Sequence, residues 1–480
     1  MSENQTGAKA VKAGIGYTLG NFMIRGIGFL TLFIFSRLMD TEQFGIYNGA
    51  VAVDSILYMF SGLALHSSVK SAHYTFPGET DRYVSSVSII YVLNYFILTL
   101  LTFFFGNFFA SLLNLPRNAL YMMLLYSSGT ALLSLYTYRI SLDYAYKRYI
   151  VITLINTVAN IGLSLVLMLT VFENSRAMGR IAGSSLSIGM IAVALLVIMW
   201  RKARPVAEKK YWRFGLRYSL PIIPHGLSQA LLSQFDLIMI RRLDTDSHAG
   251  IYGLAVNLKI VLTVLSDSIG SVWETWFFAQ IDQGNRKLIQ KRSVQLMWLF
   301  GFFAVSMMML APEILLLGGR NFGEGKYVVL PMIVEGFILF LYAVIVPSEY
   351  YLKKTQYVMA GTMAAALINV ITNYVFIKRY GYMAAAFTTL FSYVCYLVMH
   401  VLISRRLAGF HVIPLPDLLK GIGTVTLIAL FNRLLIDQIA LRYICNLAIV
   451  SAFALLLYRM ALRDGINVIS VLKGKLKNKQ

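Results

Sequence analysis

Two basic residues stand alone in the middle of long apolar stretches, Arg25 in the first stretch and Lys259 in the eighth. A charge at the centre of a membrane-spanning helix costs roughly 2.5–3.5 kcal/mol on insertion scales, so it normally faces a partner or a water-filled cavity. Arginine binds phosphate bidentately and lysine acts as a point charge, and both attract anions strongly where the dielectric constant is low. We therefore predict that Arg25 and Lys259 form a cationic binding site for a phosphate-bearing substrate.

Carboxylates also occur inside the predicted spans, and Asp54 is the deepest of them. Asp54 and the two cations each lie about 9–10 residues into a span, which at 1.5 Å per residue is roughly 13–15 Å deep. Such a carboxylate can couple transport to an ion by exchanging its charge for a proton or by holding sodium in one conformation. Asp236 and Glu335 are further candidates for coupling or for lining a cavity. A structural ion pair or a helix-end position is the alternative for each acid, above all for Glu335 and for Asp267.

No set of residues matches a catalytic or metal-binding motif. The glycine-rich stretch at residues 318–326 (GGRNFGEGK) lacks the P-loop spacing and its Ser/Thr. The two cysteines, Cys395 and Cys445, lie in apolar runs, where they serve as small hydrophobic residues. The sequence therefore predicts no catalytic residue, no bound metal and no cofactor apart from a coupling ion, either a proton or sodium.

The elements that would position these charges are membrane-spanning helices. Hydrophobic residues make up 58% of the 480 residues and charged residues 14%, whereas soluble domains have about 45–50% and about 25%. Since a span needs roughly 20 mostly apolar residues, we predict an all-α polytopic membrane protein of about 14 transmembrane helices. The approximate spans are 16–38, 44–66, 84–109, 119–140, 150–172, 179–200, 215–240, 250–273, 293–316, 328–350, 357–377, 383–403, 417–436 and 443–458.

Basic residues are distributed unequally between the two sides of these spans. Most of the 43 Lys and Arg fall in loops on the amino-terminal side, including residues 201–217 and the carboxyl-terminal tail. The positive-inside rule then places both termini in the cytoplasm of a bacterial cell (inner) membrane, with the tail at 465–480 on the anionic inner leaflet. Basic loops of this kind explain the net charge of +21, so membrane lipids and not nucleic acid are the predicted partners.

An internal repeat divides the chain. Residues 45–51 (GIYNGAV) and 250–256 (GIYGLAV) match at five of seven positions, and the same offset aligns Asp54 with Lys259. These opposite charges would face a common axis, where Asp54 either takes part in coupling or only neutralises Lys259. Six spans separate the copies, so both enter the membrane in the same direction, as in transporters that rock two halves around a central site. The predicted domains are an N-lobe at 1–210, a C-lobe at 211–414, and two further spans with the basic tail at 415–480.

Pairs of asparagines form a second trace of this repeat. Asn156 and Asn160 lie on one predicted span, and Asn369 and Asn373 lie on another with the same spacing. Residues four apart share one face of a helix, and an amide there can hydrogen-bond across to a neighbouring helix. We predict a structural polar role for all four.

Taken in order along the chain, several motifs resemble those of a known family. Residues 35–47 (FSRLMDTEQFGIY) are similar to the opening of polysaccharide repeat-unit flippases, and residues 218–224 (YSLPIIP), followed by Asp236, resemble the start of their second lobe. Residues 380–386 (YGYMAAA), after the asparagine pair, resemble the junction between their eleventh and twelfth spans. These flippases belong to the superfamily of multidrug, oligosaccharidyl-lipid and polysaccharide exporters. The resemblance implies two rocking lobes and a cationic cavity for an undecaprenyl-pyrophosphate-linked oligosaccharide, with cations on the first and eighth spans, as Arg25 and Lys259 are here.

The sequence thus predicts a non-enzymatic flippase for a lipid-linked oligosaccharide in polysaccharide biosynthesis, such as that of O-antigen or capsule. A polysaccharide polymerase and glycosyltransferases would be its partners. A multidrug or cation extruder of the same superfamily is the first alternative, although it would favour 12 spans and an acidic cavity. A membrane-bound polysaccharide polymerase or ligase is an alternative of another class, and the short outer loops weigh against it. A structural assembly protein is a further alternative, against which the charges of Arg25 and Lys259 weigh.

Overall fold

The computed structural model describes residues 3–464, in which the regular structure is entirely helical; the predicted inner-leaflet tail at 465–480 lies outside them. Three 3₁₀ turns, Leu65–Ser68, Leu220–Ile222 and Arg320–Gly325, join α-helices. The α-helices are α1 Glu3–Leu38, α2 Thr41–Gly62, α3 Val69–Thr75, α4 Thr80–Leu113, α5 Arg117–Ser141, α6 Tyr146–Thr170, α7 Arg176–Lys202, α8 Lys209–Ser219, α9 Ile223–Leu243, α10 Asp246–Asp282, α11 Arg286–Leu316, α12 Lys326–Ile345, α13 Pro347–Tyr351, α14 Thr355–Tyr380, α15 Met383–Ala408, α16 Leu415–Leu434 and α17 Ile439–Arg463.

Each predicted span overlaps one long helix. Between residues 3 and 464, 11 helices are long and apolar enough to cross a membrane, and a twelfth span forms if α2 and the segment Leu65–Thr75 count as one bent element. Two further long helices, α1 and α9, are not in this count, and α9 carries Asp236, Arg241 and Arg242. The all-α polytopic fold is confirmed, with 11–12 clearly apolar spans where the sequence predicted about 14.

The bend after α2 has a local backbone cause. Asp40 caps the start of α2 by accepting a hydrogen bond from the amide of Gln43 at 2.7 Å. At the other end, Leu63 and Ala64 adopt φ values of 46° and 51°, and the following segment turns by 52°. Left-handed backbone costs roughly 1–2 kcal/mol per non-glycine residue, so surrounding contacts must hold this bend in place.

By its internal contacts the chain forms two compact units. Unit 1 comprises Met1–Gly253 and Val370–Ala385, and unit 2 comprises Leu254–Asn369 and Ala386–Gln480. The helices α1 to α9 and the start of α10 thus belong to unit 1. The lobe boundaries proposed from the repeat remain a prediction.

Unit 2 is built around α12. In α12, 83% of the apolar window is buried, whereas the value for α6 in unit 1 is 6%. The helices α11 and α16 pack against α12, and α17 packs against α11. An apolar helix that the protein leaves uncovered must find another apolar environment, so α6 presents its surface to lipid while α12 forms the core of unit 2.

A short amphipathic helix, α8, is docked on unit 1 through one face. Its residue Tyr211 is fully buried and donates a hydrogen bond to Glu79 at 2.5 Å. The ammonium of Lys210 donates to the same carboxylate at 2.9 Å, and the indole of Trp212 donates to the carbonyl of Ser86 at 2.9 Å. The segment between α7 and α9 is therefore held by specific polar contacts.

Candidate functional site

Lys259 is paired with an acid of its own unit. Its ammonium lies 2.6 Å from a carboxylate oxygen of Glu335 on α12, and the two side chains are 15% and 1% exposed. The residue after this acid is Gly336, and a Cβ there would lie 3.7 Å from the side chain of Lys259, so the lysine runs close along the α12 backbone. Burying a carboxylate this completely is tolerated only when it is paired. The structure thus brings together two residues that the sequence identified separately.

Asp54 has a partner on a neighbouring helix of unit 1. The hydroxyl of Ser127 on α5 donates to its carboxylate at 2.5 Å, and Asp54 itself is half-buried on α2. Further along the same two helices, Tyr58 donates to Ser134 at 2.9 Å. These two contacts form a polar seam between α2 and α5.

Arg25 lies on an exposed part of α1. The helix α1 packs mainly against α6, where Arg25 acts electrostatically on the hydroxyl of Tyr149. A charge exposed at this depth of a span must be hydrated or bind a counter-ion. Because Arg25 belongs to unit 1 and Lys259 to unit 2, their joint anion site remains a prediction.

Asp236 is the centre of a buried hydrogen-bond network in unit 1. It is 4% exposed and accepts hydrogen bonds from Tyr252 at 2.7 Å and from the amide of Asn373 at 2.6 Å. Nearby, Asp244 accepts from the backbone of Tyr382 at 2.8 Å. The end of α9, the start of α10 and the end of α14 are thus fixed to each other by two carboxylates. A fully satisfied network of this kind specifies one packing arrangement.

The other predicted asparagines also contact neighbouring helices. In unit 2, Asn369 donates to Thr389 at 2.9 Å. In unit 1, Asn156 accepts from Ser187 at 3.3 Å, and Asn160 accepts from Arg180. Each of these hydrogen bonds joins two adjacent spans.

Arg180 was not identified as a candidate from the sequence. Its guanidinium lies 3.9 Å from the ring centre of Phe35 and 5.4 Å from that of Tyr47, and it donates to Ser164 at 2.6 Å. A cation over aromatic rings is stabilised by their quadrupoles. The available signal was an arginine just inside an apolar stretch. The arginine therefore joins α1, α2, α6 and α7 around one charge.

The repeat motif marks a close crossing within unit 1. A Cβ on Gly45 would lie 1.7 Å from the carbonyl oxygen of Asp246, and a Cβ on Gly250 would lie 1.9 Å from that of Thr41. Positions 41 and 246 are related by the same repeat offset as 45 and 250, so the crossing is pseudo-symmetric. The hydroxyls of Thr41 and Ser247 lie 2.7 Å apart beside it. Backbone contact of this kind requires glycine.

Beside this crossing lies a small cavity of about 440 Å³. It is bordered by Arg241, which is 7% exposed and lies 2.5 Å from Asp246. The predicted orientation puts this end of unit 1 on the outer side. The arginine is neutralised by its own neighbour, so the cavity carries no free cation among the residues named.

Unit 2 contains a larger groove between α10, α11 and α17. Its volume is about 900 Å³, and most of its lining is apolar, including Val272, Trp273, Phe302 and Leu457. The indole of Trp273 donates to the carbonyl of Val344 at 2.9 Å, which fixes one wall. An apolar groove of this size on a membrane protein can hold an acyl or prenyl chain.

One end of the groove is charged. Asp464 borders it with Arg292 and Gln295, and both Lys291 and Arg292 form ion pairs with its carboxylate. Hydrogen bonds from Lys291 and Gln295 lower the pKa of Asp464 to about 2. The groove therefore runs from an apolar interior to a pair of cations held by one carboxylate.

These features define a class: a multi-pass, all-helical membrane protein with buried charges and an apolar groove. The sequence matches the family model described as polysaccharide biosynthesis protein over residues 10–278. The chain therefore belongs to the polysaccharide biosynthesis protein family, as its motifs predicted. A search of curated proteins finds no match to this sequence.

Solved structures share the fold at low sequence identity. A lipid II flippase, MurJ, in an inward closed conformation superposes with a TM-score of 0.70 at 14% identity, covering 93% of this chain and 100% of that one. An inward-facing multidrug resistance MATE family transporter of the MOP superfamily gives 0.66 at 11% identity, covering 79% and 94%. A MOP superfamily transporter from Pyrococcus furiosus with a binding pocket of reverse polarity gives 0.56 at 12% identity, covering 84% and 95%. All three are transporters, and the chain has their fold.

Proposed function

We propose that this protein flips an undecaprenyl-pyrophosphate-linked oligosaccharide from the inner to the outer leaflet of the bacterial cell membrane. The substrate would be the repeat unit of a surface polysaccharide such as O-antigen, capsule or exopolysaccharide. Glycosyltransferases would supply it on the cytoplasmic side, where both termini lie, and a polymerase would consume it outside. Membership of a polysaccharide biosynthesis family supports this assignment.

The observation that carries the proposal is the groove of unit 2. A polyprenyl diphosphate has a long apolar chain and a doubly charged head, and the groove offers an apolar wall that ends at Lys291 and Arg292. Buried apolar area contributes about 25 cal/mol per Å², so several isoprene units would bind well there. An extruder of small organic cations would need neither the length of this groove nor its basic end.

The deeper cations fit a second step. The ammonium of Lys259 is held by Glu335, and a diphosphate that reaches it can compete with this carboxylate for the charge. Arg25, on the exposed part of α1, is the second cation that the sequence identified for this anion. The Gly45–Gly250 crossing would separate when the outer side opens. The coupling ion would be a proton or sodium, and Asp54, Asp236 and Glu335 are the acids identified for it from the sequence.

The test uses two substitutions on one helix. Ala454 lines the groove, whereas Ala448 is an exposed residue of α17 that does not. In proteoliposomes containing a labelled undecaprenyl-diphosphate oligosaccharide, Ala454→Trp should slow flipping strongly and Ala448→Trp should not. Equal rates for the two variants would contradict the groove as the lipid path. Transport of a small organic cation in place of the lipid would favour the extruder.

A further inference from the structure

His400 and Glu349, in the described part of unit 2, form a fully buried pair of titratable side chains. The imidazole Nδ1 of His400, on α15, lies 2.7 Å from a carboxylate oxygen of Glu349, on the short helix α13. Both side chains are 0% exposed. Acids are almost never fully buried unless they are paired, so each of these residues depends on the other.

The pocket around the pair leaves no room for bulk water. The rings of Tyr342 and Tyr396 lie 4.8 and 4.6 Å from the imidazole, edge to face. On the third side is Gly361 of α14, where a Cβ would come within 2.5 Å of the imidazole Nε2. The imidazole is thus enclosed by α12, α14 and α15, and glycine is required for α14 to approach this closely.

The other titratable groups around the pair are few. They are the hydroxyls of Tyr342 on α12, Tyr350 on α13 and Tyr396 on α15, and Glu274 on α10, which acts on Tyr350 electrostatically. The hydroxyl of Tyr396 lies 3.0 Å from Thr362 on α14. No lysine or arginine is among these contacts, so His400 is the partner that the structure offers to Glu349.

The number of protons on the pair follows from its burial. With one proton the pair is neutral, whether as imidazolium and carboxylate or as imidazole and carboxylic acid. With none it carries a net negative charge, and burying an unpaired charge in an apolar pocket is costly. Among the described residues the second oxygen of Glu349 and the Nε2 of His400 have no hydrogen-bond partner, so nothing else there compensates for a lost proton.

We propose that the His400–Glu349 pair is the site that binds the coupling proton of transport; this rests on the proposed function. Chains of His and acidic residues inside membranes serve as proton sites. A metal ion fits less well, because within residues 3–464 no three His, Cys, Asp or Glu side chains come together as ligands. The pair offers a coupling cation one carboxylate oxygen surrounded by aromatic rings.

The position of Glu349 allows proton binding to change the conformation of the protein. The helix α13 has five residues, follows α12 at Pro347, and is followed by Lys353 with a φ of 58°. Side-chain contacts join this short helix to α15, and Ser348 supplies a second one to Ser404 at 2.7 Å, one turn from His400. When the proton leaves to water, the remaining carboxylate favours the arrangement in which α13 separates from α15. A proton gradient would thereby bias the conformational cycle.

The test compares two links between the same helices. His400→Gln keeps a hydrogen-bonding side chain but cannot titrate, and Ser404→Ala breaks the neighbouring link without removing a charge. In the flipping assay, an imposed pH gradient should accelerate wild type and Ser404→Ala, and this acceleration should be lost in His400→Gln. The double variant Glu349→Gln with His400→Gln, in which two amides can bond to each other, should also lose the acceleration and guards against misfolding of the single variant.

A measurement without substrate separates this inference from the flippase assignment. Hydrogen exchange of residues 345–354, corrected for the intrinsic pH dependence, should show protection of α13 that varies with pH in wild type and in Ser404→Ala only. A wild type that flips lipid without responding to the gradient, or a His400→Gln variant that responds as wild type does, would overturn the proton site and leave the flippase intact. If wild type flips no lipid, the proposed function fails, and pH-independent protection of α13 would then overturn the proton site as well.

Discussion

Gly45 and Gly250 occupy equivalent positions of the internal repeat and contact each other through the backbone. The Cβ position of Gly250 lies 3.0 Å from the amide nitrogen of Gly45, and the reciprocal distance is 2.9 Å. The two carbonyl groups that face these glycines, those of Thr41 and Asp246, are also equivalent in the repeat. The crossing of α2 and α10 is therefore made by backbone groups at positions that the sequence repeat aligns.

Gly45→Ala should weaken this crossing. The added methyl group must displace the backbone of Asp246, and overpacking of this kind costs about 1–3 kcal/mol. A cysteine introduced at Ser247, which is hydrogen-bonded across the crossing, should then be labelled faster from the outer side, with Cys395 and Cys445 replaced. Gly162→Ala on α6 is the control, since nothing lies within 4 Å of its Cβ position. Unchanged labelling in Gly45→Ala would show that the crossing does not open.

The Lys259–Glu335 pair should show separate structural and functional effects. Lys259→Ala leaves an acid that is 1% exposed without its lysine, which we expect to lower the unfolding free energy by about 3–5 kcal/mol. Replacing both residues by Met should restore most of the thermal stability in detergent, because apolar replacement of a buried pair is often neutral. Flipping should remain lost in the double variant if Lys259 binds the diphosphate. Full flipping activity of the variant with Met at both positions would show that Lys259 does not bind the diphosphate.

Asp54→Asn tests whether unit 1 carries a coupling charge. Asparagine keeps the shape and can still accept from Ser127, but it cannot titrate. Because His400 and Glu349 are untouched, we expect the response of flipping to an imposed pH gradient to persist. Ser127→Ala is the comparison for loss of the hydrogen bond alone. A gradient response that vanishes in Asp54→Asn and survives in Ser127→Ala would place the coupling at Asp54.

Docking of α8 should depend on pH in the acid range. Hydrogen bonds from Tyr211 and then Lys210 lower the pKa of Glu79, a loop residue before α4. Since the folded pKa is below that of the unfolded chain, about 4.3, this contribution is complete above that pH and is lost as the pH falls through the folded pKa. Hydrogen exchange of Lys209–Ser219 should therefore accelerate on acidification in wild type. Glu79→Gln should flatten this dependence, and Glu173→Gln, an exposed loop residue, should not.

The sequence predicted the helices well because each membrane span is visible locally as a long run of apolar residues. The short helices α8 and α13 and the bend at Leu63 were not predicted, since docked polar contacts and backbone strain leave no such signal. The partners of the charged residues were harder to predict than the helices. The repeat offset aligned Lys259 with Asp54, yet the structure pairs Lys259 with Glu335, a neighbour created by helix packing in unit 2.

Remote hydrogen bonds show the same limit. Asp236 and Asn373 were both identified as candidates, but separately, since these two residues, whose side chains lie 2.6 Å apart, are 137 positions apart in the sequence. His400 was not identified as a candidate, because a single histidine near the end of an apolar span gives no sign in the sequence of a partner. Only packing of α13 against α15 reveals that it has an acid beside it.

The burial of α12 has a consequence for the insertion of the chain into the membrane during synthesis. This helix leaves the ribosome before α16, yet α16 supplies part of the surface that covers it. Until residue 434 has been inserted, the part of α12 that α16 covers is open to lipid or to an insertion chaperone, whereas Glu335 already has Lys259 of α10 beside it. The last two spans, which have no counterpart in the repeat, thus complete the assembly of unit 2. A chain arrested before them would leave the surfaces of α11 and α12 that these two helices cover exposed within the membrane.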